Sequence, residues 1–202
     1  MEPRLIAVQE PDRPRGAVLV MHGGGSRPGS PMVSPAQLSV LRMKPLARRV
    51  ARRSRDLAVH RLLNSHRGWD PTTTPVDDVR WALGRLAERY GDLPTALVGH
   101  SLGGRAALLA GGAAPVRAVV ALNPWVLPSD ATDLRGRRVL VVHGTADRIA
   151  SPARARALAD RVARTTDVRF VEVEGGKHAM LRQHREFEDP AADFVAEVLL
   201  GG

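Results

Sequence analysis

The sequence predicts an α/β protein: a mostly parallel central sheet with helices on both faces. Three observations carry this. Short apolar runs alternate with stretches of helical periodicity, at intervals suited to crossover connections. The run Ala17-Val18-Leu19-Val20-Met21 is apolar without interruption, as a strand buried on both faces should be. Polar loops follow the strands, at the carboxyl edge where such sheets bind their ligands.

Taken in order, Leu5 to Val8 reads as a first short strand and Glu10 to Gly16 as a polar turn. The strand Ala17–Met21 ends in His22-Gly23-Gly24-Gly25-Ser26. Neither nucleotide fingerprint is complete in this loop. From Gly24 the spacing reaches Gly29 but then meets Ser30-Pro31, and from Gly23 the dinucleotide pattern fails at Pro28. Successive glycines can still turn backbone N–H groups inward toward an anion. Ser34-Pro35-Ala36-Gln37 has the form of a capping box with proline at the first helical position. It predicts a helix through Leu38, Leu41, Leu46 and Val50, kinked at Pro45. The arginines at its far end, Arg48, Arg49, Arg52, Arg53 and Arg55, suit a solvated helix C-terminus. Leu57 to Leu63 is the next strand, followed by the polar loop Asn64 to Asp70. Thr74-Pro75 opens a helix with Asp77 and Asp78 in its first turn. Its apolar positions Val76, Val79, Leu83, Leu86 and Tyr90 keep helical spacing, and Gly91 ends it.

Ala96-Leu97-Val98 then forms a strand running into Gly99-His100-Ser101-Leu102-Gly103 and an alanine-rich helix. Val116 to Leu122 is a strand ending in Asn123-Pro124-Trp125, and Val139 to His143 a strand ending in Gly144-Thr145-Ala146-Asp147. A helix follows from Pro152 to about Arg164. Val168 to Val173 is the last strand, leading to Gly175-Gly176-Lys177-His178, and Asp189-Pro190 is expected to cap a closing helix. One domain over residues 1–202 is expected, with no repeat and no second unit.

Composition removes several function classes. There is no cysteine, so disulfides and thiolate metal sites are excluded. Met1-Glu2-Pro3-Arg4 leads into no signal-peptide core and no apolar run reaches spanning length, so a cytoplasmic protein without a membrane partner is expected. The net charge of +9 is almost all arginine. It is spread along the chain, and with 3% aromatic residues there is little to stack on bases, so no nucleic-acid partner is expected. No two histidines share a helix face near a carboxylate, so no metal and no cofactor is expected.

The chemistry gathers at Ser101. In a G-x-S-x-G turn between strand and helix the serine takes a strained backbone, and the strand and helix approach so closely that larger neighbours would clash. The hydroxyl is held above the sheet edge, and the N–H of Leu102 points where an oxyanion would form. A serine hydroxyl needs an adjacent base. Of seven histidines, His178 alone sits in a glycine-rich loop after the last strand. His22 and His143 end strands before glycines, and His100 should point into the structure. His60 lies within a strand, and His66 and His184 lie in polar surroundings. For the acid, Asp147 follows a short turn after its strand. Asp130 lies beyond Pro124 and Pro128 in a longer stretch that reads as exposed and turn-capping.

Serine, acid, histidine in that order, each after a successive strand, resembles the α/β-hydrolase superfamily over nearly the whole chain. The residues that carry the resemblance are Gly99-His100-Ser101-Leu102-Gly103, His22-Gly23-Gly24-Gly25, His143-Gly144-Thr145-Ala146-Asp147 and Gly175-Gly176-Lys177-His178. The resemblance implies Ser101 as nucleophile, Asp147 as acid and His178 as base, with oxyanion donors from Leu102 and from Gly24 or Gly25. The small size is similar to the dienelactone hydrolases, from which serine in place of cysteine departs. The short segment between Leu122 and Val139 leaves no room for the lid the superfamily usually inserts there, so an open site is expected. Its candidate walls are Trp69, Trp125, Leu127, Met32 and Met180. The expected activity is hydrolysis of an ester or thioester through an acyl-enzyme, acting on a small acyl substrate, by a monomer or weak homodimer. An acyltransferase or cyclase would use the same three residues, and a non-catalytic binding protein would not need all of them.

Overall fold

A computed structural model describes residues 2–25, 33–69 and 74–201. Seven strands form one sheet in the order β1-β3-β2-β4-β5-β6-β7. They are β1 (Arg4–Gln9), β2 (Gly16–Met21), β3 (Leu57–Leu63), β4 (Thr95–His100), β5 (Val116–Leu122), β6 (Arg138–Gly144) and β7 (Asp167–Val173). Only β1, at the edge, runs antiparallel, against β3. The other pairings are parallel. Every residue of β2 and β4 is buried, which is why their sequences lack the polar alternation of a one-sided sheet.

Among the described residues the helices are α1 (Leu38–Leu41), α2 (Met43–Arg53), α3 (Pro75–Tyr90), α4 (Leu102–Ala110), α5 (Pro152–Val162) and α6 (His184–Leu200). They divide by face. Ala17, Leu19 and Met21 of β2 pack toward α3, α4 and α5, with Val79, Leu83, Ala106 and Leu158 opposite. Val18 and Val20 point the other way, onto Leu46 and Val50 of α2 and Phe187, Phe194 and Val195 of α6. A period of two in the strands thus feeds two cores. The chain leaves β2 toward β3 and leaves β4 toward β5, so the crossovers part between β2 and β4. That gap opens a crevice at the carboxyl ends of the strands, where doubly wound sheets hold ligands.

Three local expectations change. The Ser34 capping box does not form: α1 begins after Gln37, and Ser34 Oγ instead accepts the Ala36 N–H at 3.2 Å, closing a turn. The break falls at Arg42 rather than at Pro45, because a proline ring clashes with the carbonyl four residues back, here that of Leu41. Restarting at Met43 puts Pro45 in a first turn, where its missing N–H costs nothing. The closing helix starts at His184, with Pro190 inside it. Its early turns are held down by the buried Phe187 and Glu188.

The arginine cluster is not simply a solvated end. Glu188 is 1% exposed and receives Arg42 at 3.3 Å and Arg49 at 3.1 Å. Arg49 also pairs with Asp189, and Arg53 with Asp193 at 2.6 Å. These pairs dock α2 against α6. No helix or strand lies between Leu122 and Arg138.

Removing one partner of a buried pair strands the other charge. Glu188→Ala is therefore expected to lower unfolding stability by about 3 kcal/mol in urea titration, and Arg53→Ala, at the exposed end of the same docking, by under about 1 kcal/mol.

Candidate active site

Ser101 sits in the turn between β4 and α4 with φ 56° and ψ −120°, a strained conformation for a residue with a side chain. The turn closes because Gly99 has no side chain: a carbon there would collide with the Gly103 backbone. Gly103 in turn packs on the Met21 and His22 carbonyls, 2.7 and 2.6 Å from where its side-chain carbon would stand. The strain is held from β5, since Ser101 N–H donates to the Leu122 carbonyl at 3.0 Å and the Ser101 carbonyl accepts Trp125 N–H at 3.1 Å.

His178 Nε2 lies 3.0 Å from Ser101 Oγ, and His178 Nδ1 lies 2.7 Å from Asp147 Oδ2. The Asp147 carboxylate is fully buried. Burial alone would raise its pKa. His143 and His178, and the N–H groups of Ala150 and Ile149 at 2.9 and 2.8 Å, outweigh that and hold it well below the usual carboxylate range. Asp147 thus stays ionised while buried and, having no proton to give, accepts a hydrogen bond from Nδ1–H, which leaves Nε2 as the acceptor facing Ser101. Two strand-end loops meet to allow this. Gly144 and Gly176 pack backbone on backbone, and a side chain at either would strike the other.

The His178 loop is fixed through its carbonyls. Asn123 Nδ2 donates to Lys177 and His178 at 3.2 and 3.1 Å, while its Oδ1 accepts Gly144 N–H at 2.8 Å. Arg42 donates to the carbonyls of Ala179 and Met180, each at 2.6 Å. His100 Nε2 donates to the His178 carbonyl at 2.8 Å. Burial first, then the nearby His178 ring, push His100 down to about 3, so it is neutral beside His178. His22 is neutral for the same first reason: burial lowers it, and it makes one donor and one acceptor contact, to the Gly23 carbonyl at 2.6 Å and from Asn64 N–H at 3.2 Å.

Of the candidate oxyanion donors, Leu102 is the first residue of α4, where the N–H has no acceptor within its helix. Gly24 and Gly25 border a cavity with Ser101 and His178. The expected walls separate. Trp69, Trp125 and Leu127 line a second cavity that also reaches Ser101. Met180 does not line either; it is 1% exposed and packs in the core with Phe187, turned inward by its positive φ of 54°. Met32 lies outside the described residues. Asp130 is buried, contrary to the exposed turn expected of it. It takes a two-pronged bond from Arg105 at 2.8 and 2.7 Å and accepts Leu127 N–H at 2.8 Å, with no contact to His178. Among the described residues no group of three His, Cys, Asp or Glu side chains is arranged to hold a metal ion, and no helix is long and apolar enough to cross a membrane.

Known structures resemble this arrangement over nearly its whole length. An alpha-beta serine hydrolase homologue from Coxiella burnetii superimposes with a TM-score of 0.68 at 17% identity, covering 97% of this chain and 90% of its own. XC6422 from Xanthomonas campestris, described as a serine hydrolase without lid, gives 0.67 at 19%, covering 97% and 94%. The esterase Est2 from Thermogutta terrifontis, with butyrate bound, gives 0.73 at 15%, covering 98% and 90%. The chain has the α/β-hydrolase fold. No protein-family model matches its sequence, and no curated protein does. At the carboxyl edge of this sheet the loops after β4, β6 and β7 bring Ser101, Asp147 and His178 together.

Sequence reasoning missed Asn123, Arg42 and Arg105. The one signal for Asn123 was an asparagine directly after a strand, and Asn tolerates the φ of 43° it adopts. Replacing it strands the Gly144 N–H and takes one of two donors from each of the Lys177 and His178 carbonyls, which keep Met180 N–H and His100. Asn123→Ala is expected to cost about 2 kcal/mol in stability and to broaden the His178 imidazole resonances in NMR spectra. Unchanged His178 resonances would show that the loop does not depend on Asn123.

Proposed function

We propose that the protein is a serine hydrolase that cleaves a carboxylic ester or thioester through an acyl-enzyme. The observation that carries this is the unbroken chain of contacts from Ser101 Oγ through both nitrogens of His178 to Asp147. In this reading His178 Nε2 takes the Ser101 proton as Oγ attacks the substrate carbonyl. The oxyanion that forms is met by the N–H of Leu102 and that of Gly24 or Gly25. His178 then gives its proton to the leaving oxygen or sulfur as the bond from that atom to the acyl carbon breaks. Water repeats the sequence and frees the acid. Asp147 holds the ring and stabilises the imidazolium while remaining ionised. The neutral His100 beside it adds no repulsion to that cation.

The similar structures support the same reading. Several are esterases, and one holds butyrate. The open stretch between β5 and β6 agrees with a site that needs no lid movement.

Ser101→Ala is expected to abolish labelling by a fluorophosphonate probe and to cut turnover of acyl esters by about 10⁴ or more with the fold intact by circular dichroism. Full labelling of that variant would move the nucleophile elsewhere.

The pH dependence has a definite sign. Only neutral imidazole accepts the Ser101 proton, so kcat/KM rises with pH as His178 deprotonates. Asp147 has a depressed folded pKa, so its stabilisation is complete above the unfolded aspartate range, declines as pH falls below that range and is gone once pH has passed the lower folded value. A loss of kcat/KM on acidification that leaves the circular dichroism unchanged is therefore expected of the histidine base and not of Asp147. A pH-rate profile flat from acid to neutral, with chemistry rate-limiting, would contradict a histidine base.

A further inference from the structure

Two cavities open on Ser101, and they differ in chemistry. The larger, about 600 Å³, is bordered by Leu38, Leu41, Pro45 and Leu181 together with His178. The smaller, about 460 Å³, is bordered by Trp69, Trp125, Leu127 and Arg105 together with Leu102. Ile149 stands between them and borders both. His178 borders only the larger cavity, and Leu102 only the smaller. The large apolar side chains left exposed among the described residues are Leu38, Ile149 and Leu181, at 82, 67 and 69%. All three stand around the larger cavity. An exposed apolar group gathered in one place marks a surface that meets an apolar ligand.

The chemistry of acyl transfer assigns the two sides, and this step rests on the hydrolase reading above. The tetrahedral intermediate carries Ser101 Oγ, the oxyanion, the acyl group and the leaving atom. Collapse breaks the bond to the leaving atom, which takes the electron pair and the proton held on His178 Nε2. That atom must lie within hydrogen-bond reach of Nε2. The leaving group therefore extends into the cavity that His178 borders, and the acyl group into the other, with its oxygen toward Leu102 N–H. We propose that the substrate is an ester or thioester of a long aliphatic alcohol or thiol, seated against Leu38, Ile149 and Leu181. Its acyl group is short or planar and lies in the smaller cavity, against Trp69, Trp125 and Leu127. Arg105 adds no free charge to that acyl side. Its guanidinium is neutralised by Asp130 and stacks over Trp69, 4.1 Å from the ring centroid.

Two soluble ester series separate the sides: acetates of primary alcohols from two to eight carbons, and ethyl esters of acids over the same lengths, all below their micelle concentrations. The expected result is a kcat/KM that climbs about twofold to fourfold per methylene along the alcohol series, with a much flatter acid series. Leu181→Ser and Leu38→Ser alter exposed side chains and should fold. Each is expected to flatten the alcohol slope more than the acid slope. A steeper acid series, flattened by the same variants, would reverse the assignment and overturn the proposal. So would two flat series in a protein that still labels with fluorophosphonate, while the hydrolase reading would stand. A wild-type protein that neither labels nor turns over any ester would overturn both.

Discussion

The strained backbone of Ser101 is the constraint on which the rest of the site depends. Holding a side-chain-bearing residue at φ 56° costs on the order of 1–3 kcal/mol. The surroundings over-determine it. Gly99 and Gly103 let β4 and α4 meet without side chains between them, and the β5 end grips both the N–H and the carbonyl of Ser101. Because Trp125 N–H is one of those grips, the segment after β5 is drawn toward the serine. Arg105, one turn into α4, then ties the same segment through Asp130 and Leu127. One strained residue thus organises the turn, the first turns of its helix and the wall of the smaller cavity.

His178 presents the opposite problem, since it sits on a loop with no regular structure to fix it. The solution is polar and long-range. Donors from three elements take successive carbonyls of residues 177–180: Asn123 from the end of β5, His100 from the end of β4, and Arg42 from the junction of α1 and α2. Arg42 is itself braced by the buried Glu188 of α6, so the pairing that docks two helices also steadies the histidine loop. Buried polar networks of this kind are costly if any member is unpaired. That cost favours a single placement of the His178 ring.

The fold class and the carboxyl-edge position of the site were legible because they rest on local pattern. Uninterrupted apolar runs mark β2 and β6, and a glycine on each side of Ser101 marks the turn. What was not legible depends on partners distant in sequence. Nothing near Arg42 announces that it reaches carbonyls more than a hundred residues away, and nothing near Asp130 says that Arg105 will bury it. Ser34-Pro35-Ala36-Gln37 has every local mark of a helix start, yet Pro45 and the packing of Val40 and Met43 decide where the helices begin. Met180, two residues after His178, is expected from the sequence to be a wall residue. A left-handed backbone turns it into the core, leaving Ala179 and Leu181 at the cavity.

The loop after β6 joins the two functions of the site in one short segment. Asp147 Oδ1 accepts the N–H groups of Ile149 and Ala150, and these bonds help keep the buried carboxylate ionised. The same bond fixes the backbone of Ile149, whose side chain projects between the two cavities. A shift of this loop would therefore alter the charge that steadies His178 and the ridge that separates the two sides together. Selectivity between the cavities cannot be retuned by moving that backbone without disturbing Asp147. It is open to change through side chains alone, at Ile149 itself or at Leu38 and Leu181 on the far wall. None of these three contributes a side-chain hydrogen bond to the network, so their size and polarity can vary while the geometry of Ser101, His178 and Asp147 is kept.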